Sequence, residues 1–407
     1  MSKQLFKKIS SLTKSLLQHF LPGLAGVMVI ALAFFILTAA RASTIVSYRF
    51  IELQGFTSVA DLNDLGQVVG TVSTSDGQWY ASLWHNRKVT NLGTLPGDMN
   101  SKAKAINNKG QVVGSSTNSN RDEHAFFWEN KRMTGLGVIS NDQSSNAYDI
   151  NDKGQVIGQS FSLQRVNKYP YTWHGFLWEK NRMADLGGLP NDKYTNVAGI
   201  NDRGQIIGNS FQEFPGLFHP FLWQNGKMRS LGTLAGTRSQ VRAINNKGQA
   251  VGSSSTSSGF DHAFLWQNGK MIDLYNIGQN TSVASSINRF SQVAGTMYLN
   301  GGPTHAVLWQ DGRMTDLGAL NSSYSSATKI NNSGSVIGQG SIPNSYNQHP
   351  FLWKNGKIID LNDFLPPNSG WVLNSAQDIN NREEIIGMGK LNGSDRAFLL
   401  RPVRVTN

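Results

Sequence analysis

Apolar and polar positions repeat along this chain instead of drifting. Each unit opens on a segment of alternating residues that ends in Ile-Asn or Leu-Asn, with the asparagine at Asn63, Asn107, Asn151, Asn201, Asn245, Asn288, Asn331 and Asn380. A run such as Gln-Val-Val-Gly follows, then a segment such as His-Ala-Phe-Leu-Trp. Its tryptophan falls at Trp84, Trp128, Trp178, Trp223, Trp266, Trp309 and Trp353, with Leu400 in the eighth place. A stretch such as Lys-Met-x-Asp-Leu-Gly closes the unit. The asparagines stand 43 to 50 residues apart, the scale of solenoid units and propeller blades.

Four short strands account for each unit. Ala147-Tyr148-Asp149-Ile150-Asn151 exemplifies the first, and Gln155 to Gly158 the second, rich in β-branched residues. The tryptophan segment is the third. Asn-Gly or Asp-Gly at 225–226, 268–269, 311–312 and 355–356 then signals a two-residue hairpin into the fourth. No segment carries a sustained helical period. Four antiparallel strands repeated eight times predict an all-β, eight-bladed β-propeller. The eighth unit stops after its third strand, Ala397 to Leu400, whereas Arg49-Phe50-Ile51-Glu52-Leu53 matches the missing fourth. The N-terminal strand is therefore expected to complete the last blade and close the ring, hiding apolar faces and strand edges. Loop length varies on one face of the disc only, with long inserts in blades three, four and seven and a longer loop into blade eight.

Residues 1–42 differ in character. Lys3, Lys7, Lys8 and Lys14 precede an apolar run from Leu24 to Ala40, and Ala40-Arg41-Ala42 has the small-x-small pattern of a cleavage site. This predicts an exported protein, with 1–42 a signal peptide or a membrane anchor over residues 22–40, and 43–407 a single propeller domain. The leader holds five of the 37 basic residues, so the formal charge of +11 falls to +6 without it. Much of that surplus sits one per unit at Lys88, Arg132, Arg182, Lys227, Lys270, Arg313 and Lys357, where it guards an outer strand edge. Basic residues spread around a ring do not make a nucleic-acid groove. Cysteine is absent, which excludes disulfides, thiolate metal sites and cysteine nucleophiles.

The triplets His124-Ala125-Phe126 and His262-Ala263-Phe264, with His-Pro-Phe at 219–221 and 349–351 and His-Gly-Phe at 174–176, resemble the repeat of the "probable extracellular repeat, HAF family". The resemblance runs through residues 48–401. It implies export and repetition, and brings no catalytic or ligand residues with it. Ser291 and Glu383 depart from the pattern by replacing the glycine of the Asn-x-x-Gly turn.

Candidate chemistry lies in few places. His124, His174, His219, His262, His305 and His349 occupy equivalent places in six units. Metal ligands must lie about 2 Å from one ion, whereas packed sheets stand about 10 Å apart. These histidines therefore read as structural groups, each bonding at its own strand start, and no metal or cofactor is expected. The tryptophans read as filling between sheets, and the asparagines as turn residues whose side chains bond nearby backbone. The Asn-x-x-Gly turns offer too few carboxylates for a calcium cage. No Gly-x-Ser-x-Gly or His-Glu-x-x-His sequence occurs. Two residues before the asparagine stand Asp61, Ala105, Asp149, Gly199, Ala243, Ser286, Lys329 and Asp378. Ring closure makes blades seven, eight and one neighbours, so Asp61, Asp378 and Lys329 are expected to meet near the axis, as an ion network or as acid–base groups. The inserts hold Tyr169, Tyr171 and Trp173, then Phe211, Phe214 and Phe218, then Phe364 and Trp371. Clustered exposed aromatics would mark a binding face.

Taken together, the sequence predicts a monomeric, exported, non-catalytic propeller that binds a protein or glycan at the cell envelope. Tyr169, Tyr171, Trp173, Phe214, Phe218 and Trp371 are its candidate contacts. The alternative is an extracellular polysaccharide hydrolase or lyase using Asp61, Asp378 and Lys329.

Overall fold

Each unit puts its β-branched residues into strands and its asparagine–glycine pairs into the reversals between them. The computed structural model describes residues 45–163, 170–213, 216–275, 280–343 and 347–404. Over these residues the chain forms eight sheets of four antiparallel strands, the expected eight-bladed β-propeller. Residues 49–401 make one compact unit. The segment 1–42, expected to be a leader, lies outside the described residues, and so do Tyr169 and Phe214. Among the described residues no helix is long and apolar enough to cross a membrane.

Blade three shows the plan. Ser144–Ile150 is innermost, and Val156–Leu163, Pro170–Glu179 and Arg182–Asp185 follow outward. In blade four the reversal into the fourth strand has both residues at positive φ, 50° for Asn225 and 77° for Gly226, the geometry that suits a two-residue hairpin. Blades one to three adopt the same turn without glycine, at Asn86–Arg87, Asn130–Lys131 and Lys180–Asn181. The basic residue opening each fourth strand is exposed on the outer edge, as at Lys88, Arg182 and Lys357.

The last sheet borrows its outermost strand from the other end of the chain. Ile45–Leu53 lies beside Ser394–Arg404, followed inward by Ile385–Leu391 and Trp371–Ile379. Leu53 is fully buried among Phe56, Val59 and Leu62 of blade one and Ile386, Ala397 and Leu399 of blade eight. Phe50 stacks on Phe398, ring centroids 6.3 Å apart, and meets the edge of Trp371 at 4.9 Å. The two chain ends thus share one sheet and one core.

Cores lie between successive sheets. Between blades two and three, for instance, Ala105, Val113 and Ala125 pack on Ala147, Val156, Phe176 and Trp178. Each inner strand slips register next to the axis, as between Ala147 and Asp149. The irregularity drives a backbone carbonyl toward the facing strand, which explains the glycine in Val-Val-Gly. A methyl on Gly158 would stand 2.0 Å from the Asn146 carbonyl oxygen and 2.6 Å from Cζ of Phe176. The other seven equivalents, from Gly70 to Gly387, face a carbonyl oxygen at 1.9 to 2.2 Å. The repeated phenylalanine therefore fills the space that only glycine leaves. Gly158→Ala should destabilise the protein by about 3 kcal/mol or more in denaturant titration, since backbone must move to admit the methyl. A loss under about 1 kcal/mol would show that the carbonyl approach is not a constraint.

The axial opening as candidate functional site

The turn asparagine does two jobs, of which sequence reasoning found one. Its Oδ1 accepts the N–H groups two and four residues on, as Asn151 does from Lys153 and Gln155 at 3.0 Å each. Its Nδ2 donates to the glutamine four residues on, Gln155 Oε1 at 2.7 Å, and to the carbonyl of the next blade's asparagine, Asn201 O at 3.0 Å. These inter-blade bonds run from Asn63 to Asn107 and onward through every blade, and Asn380 returns to the Asn63 carbonyl at 3.0 Å. All eight asparagines are buried, so this closed ring of bonds is shielded from water. The missed signal was the identity itself: aspartate would serve the turn, but only an amide can donate onward.

The ring also explains the two departures in the turns. A methyl on the turn glycine would point at the preceding blade's glutamine, 3.2 Å from Gln111 Oε1 at Gly154. Ser291 and Glu383 keep the same left-handed backbone, φ 70° and 65°. Ser291 Oγ donates to Gln249 Oε1 at 2.8 Å. Beside Glu383 the preceding blade has Ser335 where glutamine would stand, and the glutamate fills the space. Its carboxylate accepts Ser333 Oγ at 2.6 Å, Ser335 Oγ at 3.2 Å and Lys354 Nζ at 2.6 Å. Ser335→Gln should therefore cost about 1–3 kcal/mol alone and much less when combined with Glu383→Gly, measured as a double-mutant cycle. Additive losses would refute the exchange.

Around this ring opens a funnel of about 350 Å³, lined in each blade by the Ile-Asn or Leu-Asn pair and the residue after it. Those next residues are Asp64, Asn108, Asp152, Asp202, Asn246, Arg289, Asn332 and Asn381. Lys329 and Asp378 also line it, two residues further back on their strands. A second cavity, about 520 Å³, lies along the inner strands of blades four to seven and includes Asn196, Arg242, Ser285 and Thr328.

The structure brings the expected axial trio together. Lys329 Nζ lies 2.6 Å from Asp378 Oδ1. Asp378 Oδ1 also accepts from Ile379 N at 2.6 Å, and its Oδ2 accepts from Leu62 N across the blade boundary at 3.2 Å. Asp61 accepts from Leu62 N at 3.0 Å and from Ile106 N of blade two at 2.8 Å. Asp149, which the sequence did not place with them, bridges blades three and four through Ile150 N and Ile200 N at 2.8 and 3.1 Å. Each carboxylate is thus committed to backbone N–H groups of its own and the next blade, which makes these residues inter-blade clasps.

Their electrostatics follow from burial and mutual proximity. Burial first, then the charge of Asp378, raises the Asp61 carboxyl well above the ordinary carboxylate range. Burial opposes ionisation of Asp378 too, but Lys329 and the hydrogen bond with Asp61 hold it low. Burial also disfavours the Lys329 ammonium, and Asp378 and Asp61 outweigh it, raising its pKa. Burial raises Asp149 despite its two backbone donors. The Lys329 side chain keeps 43 % exposure because it faces the water-reached funnel, so its pairing counts for less than a dry one.

Asp378, held low, contributes stability that is present above its unfolded pKa and lost as pH falls through the folded one. Asp61, held high, acts in the opposite sense, losing its contribution as pH rises through its folded pKa. Lys329→Met removes the charge that holds Asp378 low and leaves burial to raise it. The variant's stability deficit should be small near pH ~4 and grow to about 1–2 kcal/mol near pH ~7, read from urea titrations at each pH. A deficit that does not change with pH would contradict this account.

The six repeated histidines each meet an aspartate within their own unit. His124, His174 and His219 pair with Asp98, Asp142 and Asp192 of the entering loop, at 3.0, 2.8 and 2.9 Å. His262, His305 and His349 pair with Asp273, Asp316 and Asp360 of the fourth strand, at 2.8, 2.7 and 2.6 Å. Among the described residues no group of three or more such side chains could hold a metal ion.

The candidate aromatic contacts are placed less openly than the sequence suggests. Trp173 stacks on Phe161 of its own blade at 5.7 Å. Phe218 packs edge-on to the buried Phe211 at 5.4 Å, and Trp371 lies against Phe50. These rings are half-buried caps on their own blades. The side chain of Tyr171 lies outside the described residues, with Tyr169 and Phe214.

No protein-family model matches the chain, and no curated protein matches it in sequence. Solved structures share its fold. A prolyl endopeptidase structure superposes with a TM-score of 0.52 at 9 % identity, over 96 % of this chain and 60 % of that one. Porphyromonas gingivalis dipeptidyl peptidase 4 gives 0.50 at 12 % identity, over 81 % and 57 %. The β-propeller domain of the Trilobed protease from Pyrococcus furiosus gives 0.48 at 11 % identity, over 78 % and 98 %. The chain thus spans about three fifths of the first two proteins. The likeness is one of fold, and it corrects the expectation of a non-catalytic protein- or glycan-binding module at the cell envelope, along with its polysaccharide-cleaving alternative. The propellers that this one resembles belong to peptidases, its described insert aromatics cap their own blades, and its axial carboxylates are taken up by backbone.

Proposed function

We propose that this is a peptidase-type propeller whose axial funnel receives and orients a short, extended peptide. One observation carries the reading. All eight blades turn the residue after the ring asparagine toward a single opening, and in seven of them it is aspartate or asparagine, so the funnel wall is a ring of amide and carboxylate groups. Such a wall matches the donors and acceptors of an unfolded peptide backbone. A folded domain would not fit a cavity of about 350 Å³, which is at the lower end of ligand-pocket volumes. The Lys329–Asp378 pair lines the same opening. The fold neighbours supply the context, because they are propellers of enzymes that act on peptides.

The absence of cysteine gives a direct test. Asn332 lines the funnel, and Asn332→Cys creates a single thiol that a bulky maleimide can modify. Titration calorimetry with the tripeptide Ala-Pro-Ala should show binding to the full chain, weakened at least about tenfold once the thiol is labelled. Binding that survives labelling would place the peptide elsewhere. No binding of this or longer unstructured peptides would overturn the reading.

A further inference from the structure

A second ring of bonds runs around the funnel mouth, one residue after the asparagines, and it has one gap. In seven blades an aspartate or asparagine Oδ1 accepts the backbone N–H of the corresponding residue in the preceding blade. Asp64 N donates to Asn108, Asn108 to Asp152, Asp152 to Asp202 and Asp202 to Asn246, at 2.9 to 3.0 Å. Arg289 N donates to Asn332, Asn332 to Asn381 and Asn381 to Asp64, at 2.8 to 3.1 Å. In blade six the residue is Arg289, which has no acceptor to offer. The backbone N–H of Asn246 is left with no side-chain acceptor from the next blade, and the Asn246 amide turns away to Asp202 Oδ2 at 2.6 Å.

The gap is surrounded by donors. Arg289 lines the funnel, and its guanidinium lies over the Phe290 ring at 4.7 Å. Lys247 reaches across the same blade boundary to Ser291 Oγ at 3.1 Å. A ring oxygen is missing where seven other blades provide one; Arg289 holds that ring position, and Lys247 is the residue after Asn246. That chemistry fits a carboxylate, which accepts from an N–H and from an arginine fork at once. Of the carboxylates at the mouth, Asp64 and Asp152 lie in other sectors, on blades one and three, whereas Asp202 of blade four adjoins Asn246 and is taken up by its amide at 2.6 Å. In a ring of eight, blade six faces blade two, which Asp64 and Asp152 flank. A peptide rich in acidic side chains would meet those carboxylates, whereas the ammonium of a peptide's own N-terminus would be attracted to them.

We infer that the Arg289 gap anchors the C-terminal carboxylate of the peptide, replacing the missing ring oxygen, with the peptide's N-terminus directed toward Asp64 and Asp152. The inference rests on the peptide-receiving reading above and adds polarity and end-specificity to it. The test compares Ala-Pro-Ala as free acid, as C-terminal amide and as N-acetylated acid, titrated into the full chain, into Arg289→Asn and into Arg289→Lys. The free acid should bind at least about tenfold more tightly than the amide. Arg289→Asn restores a ring oxygen for Asn246 N–H, so it should abolish the preference for the acid without lowering the unfolding midpoint. Arg289→Lys keeps the charge but loses the fork and should retain part of the preference. N-acetylation should weaken binding less than amidation does. Acid and amide binding alike would overturn the anchor and leave the peptide reading standing. Failure of all three forms, and of longer unstructured peptides, to bind would remove both. Acetate displacing the peptide at concentrations near the peptide's own Kd would reduce the gap to a general anion site and also overturn the proposal.

Discussion

Everything in this molecule hangs on an amide hydrogen that leaves its own blade. The turn asparagine is saturated, with two N–H groups on its oxygen and two acceptors on its nitrogen, and one of those acceptors belongs to the neighbour. Eight such bonds in succession return to their starting point. A net contribution of about 1 kcal/mol each would already be appreciable, and each accepting carbonyl also takes the N–H of the residue three on in its own turn. The ring holds the inner ends of the sheets at the spacing that their interdigitated cores require. The sheets close the ring as well, because the strand at 49–53 hydrogen-bonds into the last sheet and packs in its core.

With the asparagines fixed, the positions on either side of them become free to carry chemistry. Two residues earlier, alanine or glycine leaves the axis bare, aspartate clasps the next blade, and Lys329 extends into the funnel. One residue later, any side chain with an acceptor oxygen continues the outer ring, and arginine interrupts it. Each change alters a single point on a wall that the other blades hold in place. The scaffold can thus set charge and hydrogen-bonding capacity around the opening one sector at a time. The acidic sectors and the basic gap at the mouth are the outcome in this chain.

The architecture was legible because its signals are local and repeated eight times: β-branched runs, two-residue reversals and a displaced fourth strand at 49–53. The trio Lys329, Asp378 and Asp61 was legible for a related reason, since equal position in each unit plus closure makes neighbours of residues far apart in sequence. Asp149 was not, because its relation to Lys329 runs across the axis and not between adjacent blades. The onward bond of each asparagine was also hidden, since a turn explains the residue well enough by itself. The exchange of Ser335 for glutamine beside Glu383 needs the orientation of one Cβ, which no spacing reveals. The placement of the insert aromatics was not legible because loop residues have no fixed register. Their composition suggested an open patch, whereas Trp173, Phe218 and Trp371 found partners at the ends of their own blades.

Native-state hydrogen exchange on Asn201→Asp would test the role of the ring most directly. This substitution keeps the oxygen that closes the turn on Arg203 and Gln205 and removes the Nδ2 donor to Asn245. If the ring couples the blades, protection should fall at turn amides around the whole opening, including those of blades distant from Asn201. If protection falls only in the turn at Asn201 and its immediate neighbour, each blade holds its own inner edge, and the ring is a consequence of the fold and not what fixes it.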